Sequence, residues 1–260
     1  MAEVMKIATR DSYGDALVAL ADAGHDEVVV FDADLSASTK TCKFQKAYPK
    51  RFFECGIAES NMMGVAAGMS TFGYVPFVSS FAMFASGRAW EQVRNSIGYP
   101  HLNVKFAATH GGLSVGEDGA SHQCCEDFAL MRAIPGMVVL SPADDVEARA
   151  CVKAAYNHEG PVYLRFSRLA TPVFHDPEKY TFTIGKGETL TDGFDIAVIS
   201  TGLMTSEVLK AAVQLKKQGL VSVRVINMPC IKPLDEELVL RAAKECKKII
   251  TVEEHSIIGG

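Results

Sequence analysis

Two histidines and two acids share one glycine-rich stretch, Thr109-His110-Gly111-Gly112-Leu113-Ser114-Val115-Gly116-Glu117-Asp118-Gly119-Ala120-Ser121-His122-Gln123. Neither helix nor strand packing calls for such residues, and the glycines let a backbone come close to a polar ligand. Imidazole and carboxylate are also metal-ligand chemistry, but the spacings fit no familiar metal motif and no further nitrogen or sulfur ligand accompanies them. A second candidate is Glu59 in Glu54-Cys55-Gly56-Ile57-Ala58-Glu59-Ser60-Asn61-Met62-Met63-Gly64-Val65-Ala66-Ala67-Gly68, one carboxylate at the start of a helix rich in small residues. Gly64, Ala67 and Gly68 are spaced to admit another backbone, and Glu59, about one turn earlier, is expected on the same side, pointing into that contact. The plainer alternative is a helix-start glutamate favoured by the macrodipole and facing water. Third, a strand from Tyr74 leads to a helix whose opening carries Phe81 and Phe84, either a platform for a flat heterocycle or ordinary core.

These groups need a frame. From Asp11 to about Pro172, short β-branched runs alternate with segments of helical period, the pattern of crossover helices covering a mainly parallel sheet. Strands are expected at Val28–Phe31, Val104–Thr109, Met137–Leu140 and Val162–Arg165. Asp34, His110, Ser141 and Arg168 follow such strands, where ligands gather in open α/β sheets. Residues 1–175 are therefore expected to form one α/β domain. Residues 176–192, with proline, glycine, Thr and Lys and no sustained period, are expected to form a linker. In residues 193–260, strands Phe194–Ser200, Val221–Asn227 and Lys248–Val252 alternate with amphipathic helices Thr205–Gln218 and Asp235–Cys246. This second α/β domain is expected to be incomplete, because it stops after its third strand.

A chain of 260 residues, 48% hydrophobic, can bury a substantial core. Its apolar runs are strand-sized, which predicts no membrane span. The first residues show neither an apolar signal core nor an Arg-rich transit pattern, so a cytoplasmic location is expected. Seven cysteines without a Cys-x-x-Cys pair read as reduced thiols. A net charge of −5 without a Lys/Arg block argues against nucleic-acid binding, so any anionic ligand must be held by a few placed arginines.

In their order and separation, the Glu59, Phe81–Phe84 and His110–His122 segments resemble the pyrimidine-binding domain of transketolases, above all those made as two chains. The resemblance extends over nearly all 260 residues. It implies a thiamine-diphosphate pyrimidine-binding domain followed by a smaller transketolase C-terminal domain. Glu59 would bond N1′ of the aminopyrimidine and favour its imino tautomer, whose 4′-nitrogen takes the thiazolium C2 proton. Phe84 would stack on the pyrimidine, Phe81 line its pocket and Asp34 lie near the cofactor. His110, Asp118 and His122 would contact the sugar, Asp118 reading a hydroxyl and His122 lying close to the reacting carbons; His122 and His110 join Glu59 as the implied catalytic residues. Arg10, Ser38 and Arg168 would hold the sugar phosphate with His110, a task suited to guanidinium groups. Each arginine taken singly could instead be a surface ion-pair residue. The family often has tyrosine where Gly87 stands here.

The family's other half carries a Gly-Asp-Gly motif for a divalent cation, and that motif is missing. The resemblance thus implies no metal ligand on this chain, a Mg²⁺ or Ca²⁺ ion held by a diphosphate-binding N-terminal partner subunit, self-association through both domains, and a heterotetramer. The implied reaction is transfer of a two-carbon ketol unit between sugar phosphates of the pentose phosphate pathway. Deoxyxylulose-phosphate synthase, which usually has an acid at the position of His110, and the β chain of 2-oxo acid dehydrogenases, which usually lacks the Gly116–His122 run, are alternatives. An orphan half with a binding or regulatory role is the non-enzyme reading.

Overall fold

The structure is a computed structural model describing residues 5–260. In chain order the first region contains β1 (Lys6–Ala8), α1 (Thr9–Asp22), β2 (Val28–Asp32), α2 (Ser36–Thr39), α3 (Cys42–Ala47), β3 (Phe52–Glu54), α4 (Glu59–Ser70) and β4 (Val75–Phe81). A π-helical turn (Phe84–Arg88) leads through α5 (Trp90–Gln92) and a second π turn (Val93–Gly98) to β5 (Lys105–Thr109), α6 (Asp127–Arg132), β6 (Val138–Leu140), α7 (Asp145–Asn157), β7 (Val162–Phe166) and β8 (Ala170–Pro172). The second region contains β9 (Glu188–Thr191), β10 (Ile196–Ser200), α8 (Met204–Lys217), β11 (Val223–Asn227), β12 (Cys230–Lys232), α9 (Glu236–Glu245) and β13 (Lys248–Val252).

Strands β2, β4, β5 and β7 are buried at every residue, as near-continuous apolar runs must be when helices cover both faces of a parallel sheet. They form the centre of a seven-stranded sheet of order β12-β6-β7-β5-β4-β2-β3. All its pairings are parallel except that of β12 with β6. One face packs Phe31, Met62, Met63, Phe106 and Tyr163, the other Tyr13, Phe77, Leu164 and Phe166. Each such fully buried side chain contributes roughly 1.5–3 kcal/mol, so the sheet is a stiff platform. Its register aligns Phe81 with Thr109 and Thr109 with Phe166. The residues that leave these three strands therefore emerge together.

A four-stranded sheet, β13-β10-β11-β9, forms the second core, with α8 and α9 beside it. Helix α9 is capped by Asp235, whose carboxylate accepts from Leu238 N at 3.1 Å, a contact whose loss typically costs about 1 kcal/mol. No helix among the described residues is long and apolar enough to cross a membrane.

The structure corrects three expectations. Residues 176–192 are not all linker: β9 lies there and pairs antiparallel with β11. Strand β12 belongs to the large sheet although it comes from the C-terminal region, because the β6 edge needs a partner. Its three residues are too few for a period-2 signal. Phe81 ends β4 and does not open a helix; Phe84 begins the π turn three residues later.

Candidate active site

Glu59 sits at the first turn of α4, and its side chain is only 2% exposed. It shares a face with Met62, Met63, Ala66 and Ala67, all buried. The expected face holds only in part: Ala67 lies on the Glu59 side, but Gly64 and Gly68 are exposed, with open space where a Cβ would stand. Helical geometry explains this, since burial at positions 59, 62, 63, 66 and 67 follows the i, i+3, i+4 stripe and leaves 64 and 68 outside it. The water-facing alternative for Glu59 fails as well. Its carboxylate Oε2 faces Arg88 Nη1 at 3.4 Å, and the same guanidinium lies over the Phe84 ring, 5.2 Å from the centroid.

The aromatic pair joins this carboxylate to the histidine loop. Phe81 stacks on His110 with centroids 3.9 Å apart and lies 6.1 Å from Phe84. The His122 ring meets Phe84 edge-on at 5.1 Å. Phe81 is buried and Phe84 half-buried, so one ring belongs to the wall and the other presents a surface.

His110 is the centre of a cation cluster. Arg10 Nη1 donates to His110 Nε2 at 3.1 Å and to the Ser38 carbonyl at 3.0 Å. A guanidinium cannot accept, so Nε2 is the bare nitrogen; Nδ1 carries the proton and donates to Thr109 Oγ1 at 2.7 Å. Burial, then Arg10, Arg168, His122 and Lys40, pushes the His110 pKa down to about 3. The imidazole is neutral, and the surrounding charge is positive. Arg10 Nε is buried with no hydrogen-bond partner among the described residues, an orphan donor of the kind an anion would satisfy.

Arg168 approaches from the end of β7 but is already engaged. Its guanidinium takes Glu117 through two bonds, 2.5 and 3.1 Å, and also reaches the Val115 carbonyl. Asp118 is exposed nearby. Ser38 contributes its carbonyl to Arg10, and Asp34 is exposed, with its amide donating to Glu54 Oε1 at 2.7 Å. Asp34, Lys40 and His110 all have left-handed backbone, with φ of 60°, 71° and 61°. Such conformations cost on the order of 1–3 kcal/mol each and persist where the surroundings hold them.

Four supporting side chains were not singled out from the sequence. Asp32, fully buried at the end of β2, accepts from Leu35 N (2.7 Å), Thr39 Oγ1 (2.6 Å) and Thr41 Oγ1 (2.8 Å). Burial raises its pKa to about 6 against those bonds. It shapes α2 and hence the Ser38 carbonyl that receives Arg10. Glu54 ties the Asp34 and Gly56 amides together. Glu254, from the second region, accepts from Ser114 N at 2.8 Å and Ser114 Oγ at 3.1 Å. Arg165, buried in an ion pair with Asp127 at 2.9 Å, donates to the Cys124 and Glu254 carbonyls. An acid ending a buried strand and an arginine inside one break the apolar pattern, and that was the available signal. Glu254 gave none.

The loop's glycines are used differently from the expectation. A Cβ at Gly112 (φ 84°) would stand 2.5 Å from Glu254 Cβ, and one at Gly116 (φ 81°) would stand 2.7 Å from Arg168 Nη1. They admit these protein side chains, and the backbone is covered at Gly112 but exposed at Gly116.

With this geometry in place, the similarities to known proteins can be read onto it. Residues 5–173 match the transketolase pyrimidine-binding domain, and residues 185–260 match the transketolase C-terminal domain. The chain belongs to the transketolase family. It is 50% identical over 252 residues, covering 96% of this chain and 78% of the relative, to a Methanocaldococcus jannaschii protein provisionally named transketolase C-terminal section. It is 41% identical over 251 residues to a 6-deoxy-6-sulfo-D-fructose transketolase subunit of Clostridium sp. (strain MSTE9), covering 96% of this chain and 77% of that one. Among solved structures it resembles a split-gene transketolase described as an inactive beta4 tetramer, with a TM-score of 0.90, 51% identity and coverage of 98% and 83%. Transketolases use thiamine diphosphate; in this chain Arg88 links Glu59 to Phe84, and Phe81 links Phe84 to His110.

Proposed function

We propose that this chain is the pyrimidine-binding and C-terminal subunit of a two-chain transketolase that moves a two-carbon ketol unit between sugar phosphates and is active only with a diphosphate-binding partner. The observation that carries this reading is the continuous run of contacts from the buried Glu59 carboxylate, through the Arg88 guanidinium, Phe84 and Phe81, to the Arg10–His110 cluster. A proton-sharing carboxylate, an aromatic wall and an anion site are thereby arranged side by side. The same reading assigns the divalent cation, Mg²⁺ or Ca²⁺, to the partner, predicts a heterotetramer of two copies of each chain, and puts the reaction in the pentose phosphate pathway of the cytoplasm.

Thiamine diphosphate, when bound, supplies the carbon acid that does the bond-breaking chemistry. Glu59 then holds a proton with the pyrimidine ring nitrogen, and its burial keeps water from competing for that bond. Phe84 offers its face to the ring and Phe81 backs it. Asp34, on a turn fixed by Glu54, would lie near the cofactor. Arg10, Arg168 and the Ser38 segment take the sugar phosphate. His110 begins as an acceptor from Arg10, and an anion that draws Arg10's donors to itself leaves Nε2 free to take a proton and donate. His122, edge-on to Phe84, is placed to exchange a proton with a substrate hydroxyl, and Asp118 accepts from another.

The test is reconstitution. Mixed with its diphosphate-binding partner, thiamine diphosphate and Mg²⁺, the chain should transfer a ketol unit from xylulose 5-phosphate to ribose 5-phosphate. Neither chain should do so alone. No turnover by a verified complex would overturn the reading, and Glu59→Gln should reduce turnover by at least about 10²-fold, as expected when a general acid/base contribution is lost.

A further inference from the structure

We propose that Arg88 is a resident plug of the pyrimidine site: in the free chain its guanidinium occupies the position between Glu59 and Phe84 that the aminopyrimidine needs, and it must swing out when the cofactor ring enters. The inference rests on the reading of Glu59 and Phe84 as the pyrimidine-holding pair. Arg88 touches both members of that pair at once. Its Nη1 is 3.4 Å from Glu59 Oε2, and its central carbon is 5.2 Å from the Phe84 centroid. A guanidinium is a flat cation with N–H donors along its edge. A protonated aminopyrimidine is also a flat cation with N–H donors on one edge. Each satisfies a buried carboxylate beside an aromatic face in the same way.

The arrangement is built to release the arginine. Glu59 is 2% exposed, whereas the Arg88 side chain is 55% exposed, so only the arginine can leave. Glu59 is its one charged partner among the described residues. Its backbone is held separately, by Ser60 Oγ donating to the Arg88 carbonyl at 3.2 Å, so the side chain moves without unravelling the turn. That turn is π-helical, closed by Ala89 N donating to Phe84 O at 3.2 Å, a form that recurs at functional sites. The preceding residue is Gly87, where an added Cβ would meet only the flexible end of Met83. No side chain from that position fills the space between Phe84 and Arg88.

A site blocked part of the time binds with an apparent affinity reduced by the open fraction. Removing the plug should therefore tighten ring binding, whereas removing a residue that grips the ring would weaken it. The full chain is titrated with 4-amino-2-methylpyrimidine and binding is followed by saturation-transfer NMR. Arg88→Ala should bind the ring about tenfold more tightly than wild type if the site is open about a tenth of the time. Adding Glu59→Gln to that variant should erase the gain. Equal or weaker binding by Arg88→Ala, with binding still dependent on Glu59, overturns the plug and leaves the pyrimidine site standing. A gain that survives Glu59→Gln overturns the assignment of the site itself. Failure of Arg88→Ala to bind the ring at all overturns the plug as well, since the emptied position would then not accept it.

Discussion

His110 and His175 are both buried imidazoles in polar clusters, and their surroundings drive them in opposite directions. His110 is ringed by cations and pushed down to about 3. His175 pays for burial too, but Asp144 and Glu188, with Glu147 close by, raise it to about 10. Its Nδ1 donates to Asp144 Oδ1 at 2.9 Å and its Nε2 to Glu188. Both nitrogens donate, so the ring is an imidazolium. Glu147 completes the group, accepting from Ala143 N, Asn227 Nδ2 and Tyr180 OH. Oxygen and nitrogen atoms of Glu147, His175 and Glu188 lie within 4.8 Å of one another, a spacing a metal ion would accept, yet both ring nitrogens already donate to carboxylates. The cluster joins α7, the connection and the second sheet, and its partners are all internal. In the His110 cluster Arg168 and Lys40 face Glu117 and Asp11, but Arg10 keeps an orphan donor. A cluster whose hydrogen bonds are all met reads as a fastening, and one with a buried donor left unmet reads as a ligand site.

The sharpest way to break this contrast is to delete each ring. His175→Ala strands the carboxylates it pairs and should cost about 3–5 kcal/mol in denaturant unfolding, the range for removing one member of a buried ion pair. His110→Asn, which suits the left-handed backbone, should change stability by less than about 1 kcal/mol. Equal losses would abolish the distinction. Next in size, Arg10→Ala in the reconstituted enzyme should raise KM for sugar phosphates by about 10- to 10²-fold, the value of a charged hydrogen bond, with kcat much less affected. A fall confined to kcat would remove Arg10 from phosphate binding.

The pH dependence separates the two rings by sign. His175 is raised from an ordinary 6.5, so the folded chain holds its proton where the unfolded chain does not. Its stabilisation is complete below about 6.5 and is lost as pH rises through about 10. His110 is depressed, so between about 3 and 6.5 the unfolded chain binds the extra proton, and stability falls as pH falls through that window. Imidazole proton NMR should show His110 neutral at pH 5 and His175 charged at pH 8; the reverse would refute both. Inorganic phosphate should raise the His110 pKa and leave that of His175 unmoved. The smallest effect concerns Arg168, which is held by the exposed Glu117. Glu117→Gln should lower KM for sugar phosphates by about two- to threefold, since exposed ion pairs are weak, and an increase would show Glu117 ordering the arginine for its ligand.

Much of the platform was legible in sequence because buried parallel strands write continuous apolar runs. Val28–Asp32 declares itself that way; Lys248–Val252 is β-branched but mostly exposed, and the two long helices of the second region declare themselves by their period. The three-residue strands β1, β3, β8 and β12 were not legible, because their pairing is set by what lies across the sheet. At the candidate site, Glu59 and the His110 loop stood out as residues that packing does not need. What surrounds them could not be read. The Arg168–Glu117 pair and the reach of Glu254 onto Ser114 join residues 51 and 140 positions apart, and no local pattern encodes them; the Asp32 partners lie within 9 positions, but the turn that folds them back onto the carboxylate has no periodic signal.

The edge strand Cys230–Lys232 has a consequence for biosynthesis. The large sheet begins assembling from residues near the N-terminus, but its β6 edge acquires a partner only when a segment about ninety residues later, between β11 and α9, has left the ribosome. Until then the nascent chain exposes an unpaired ladder, the feature that invites wrong pairing between neighbouring molecules. The second region is therefore also an intramolecular guard for the first. Expressing residues 1–175 alone would leave that edge bare.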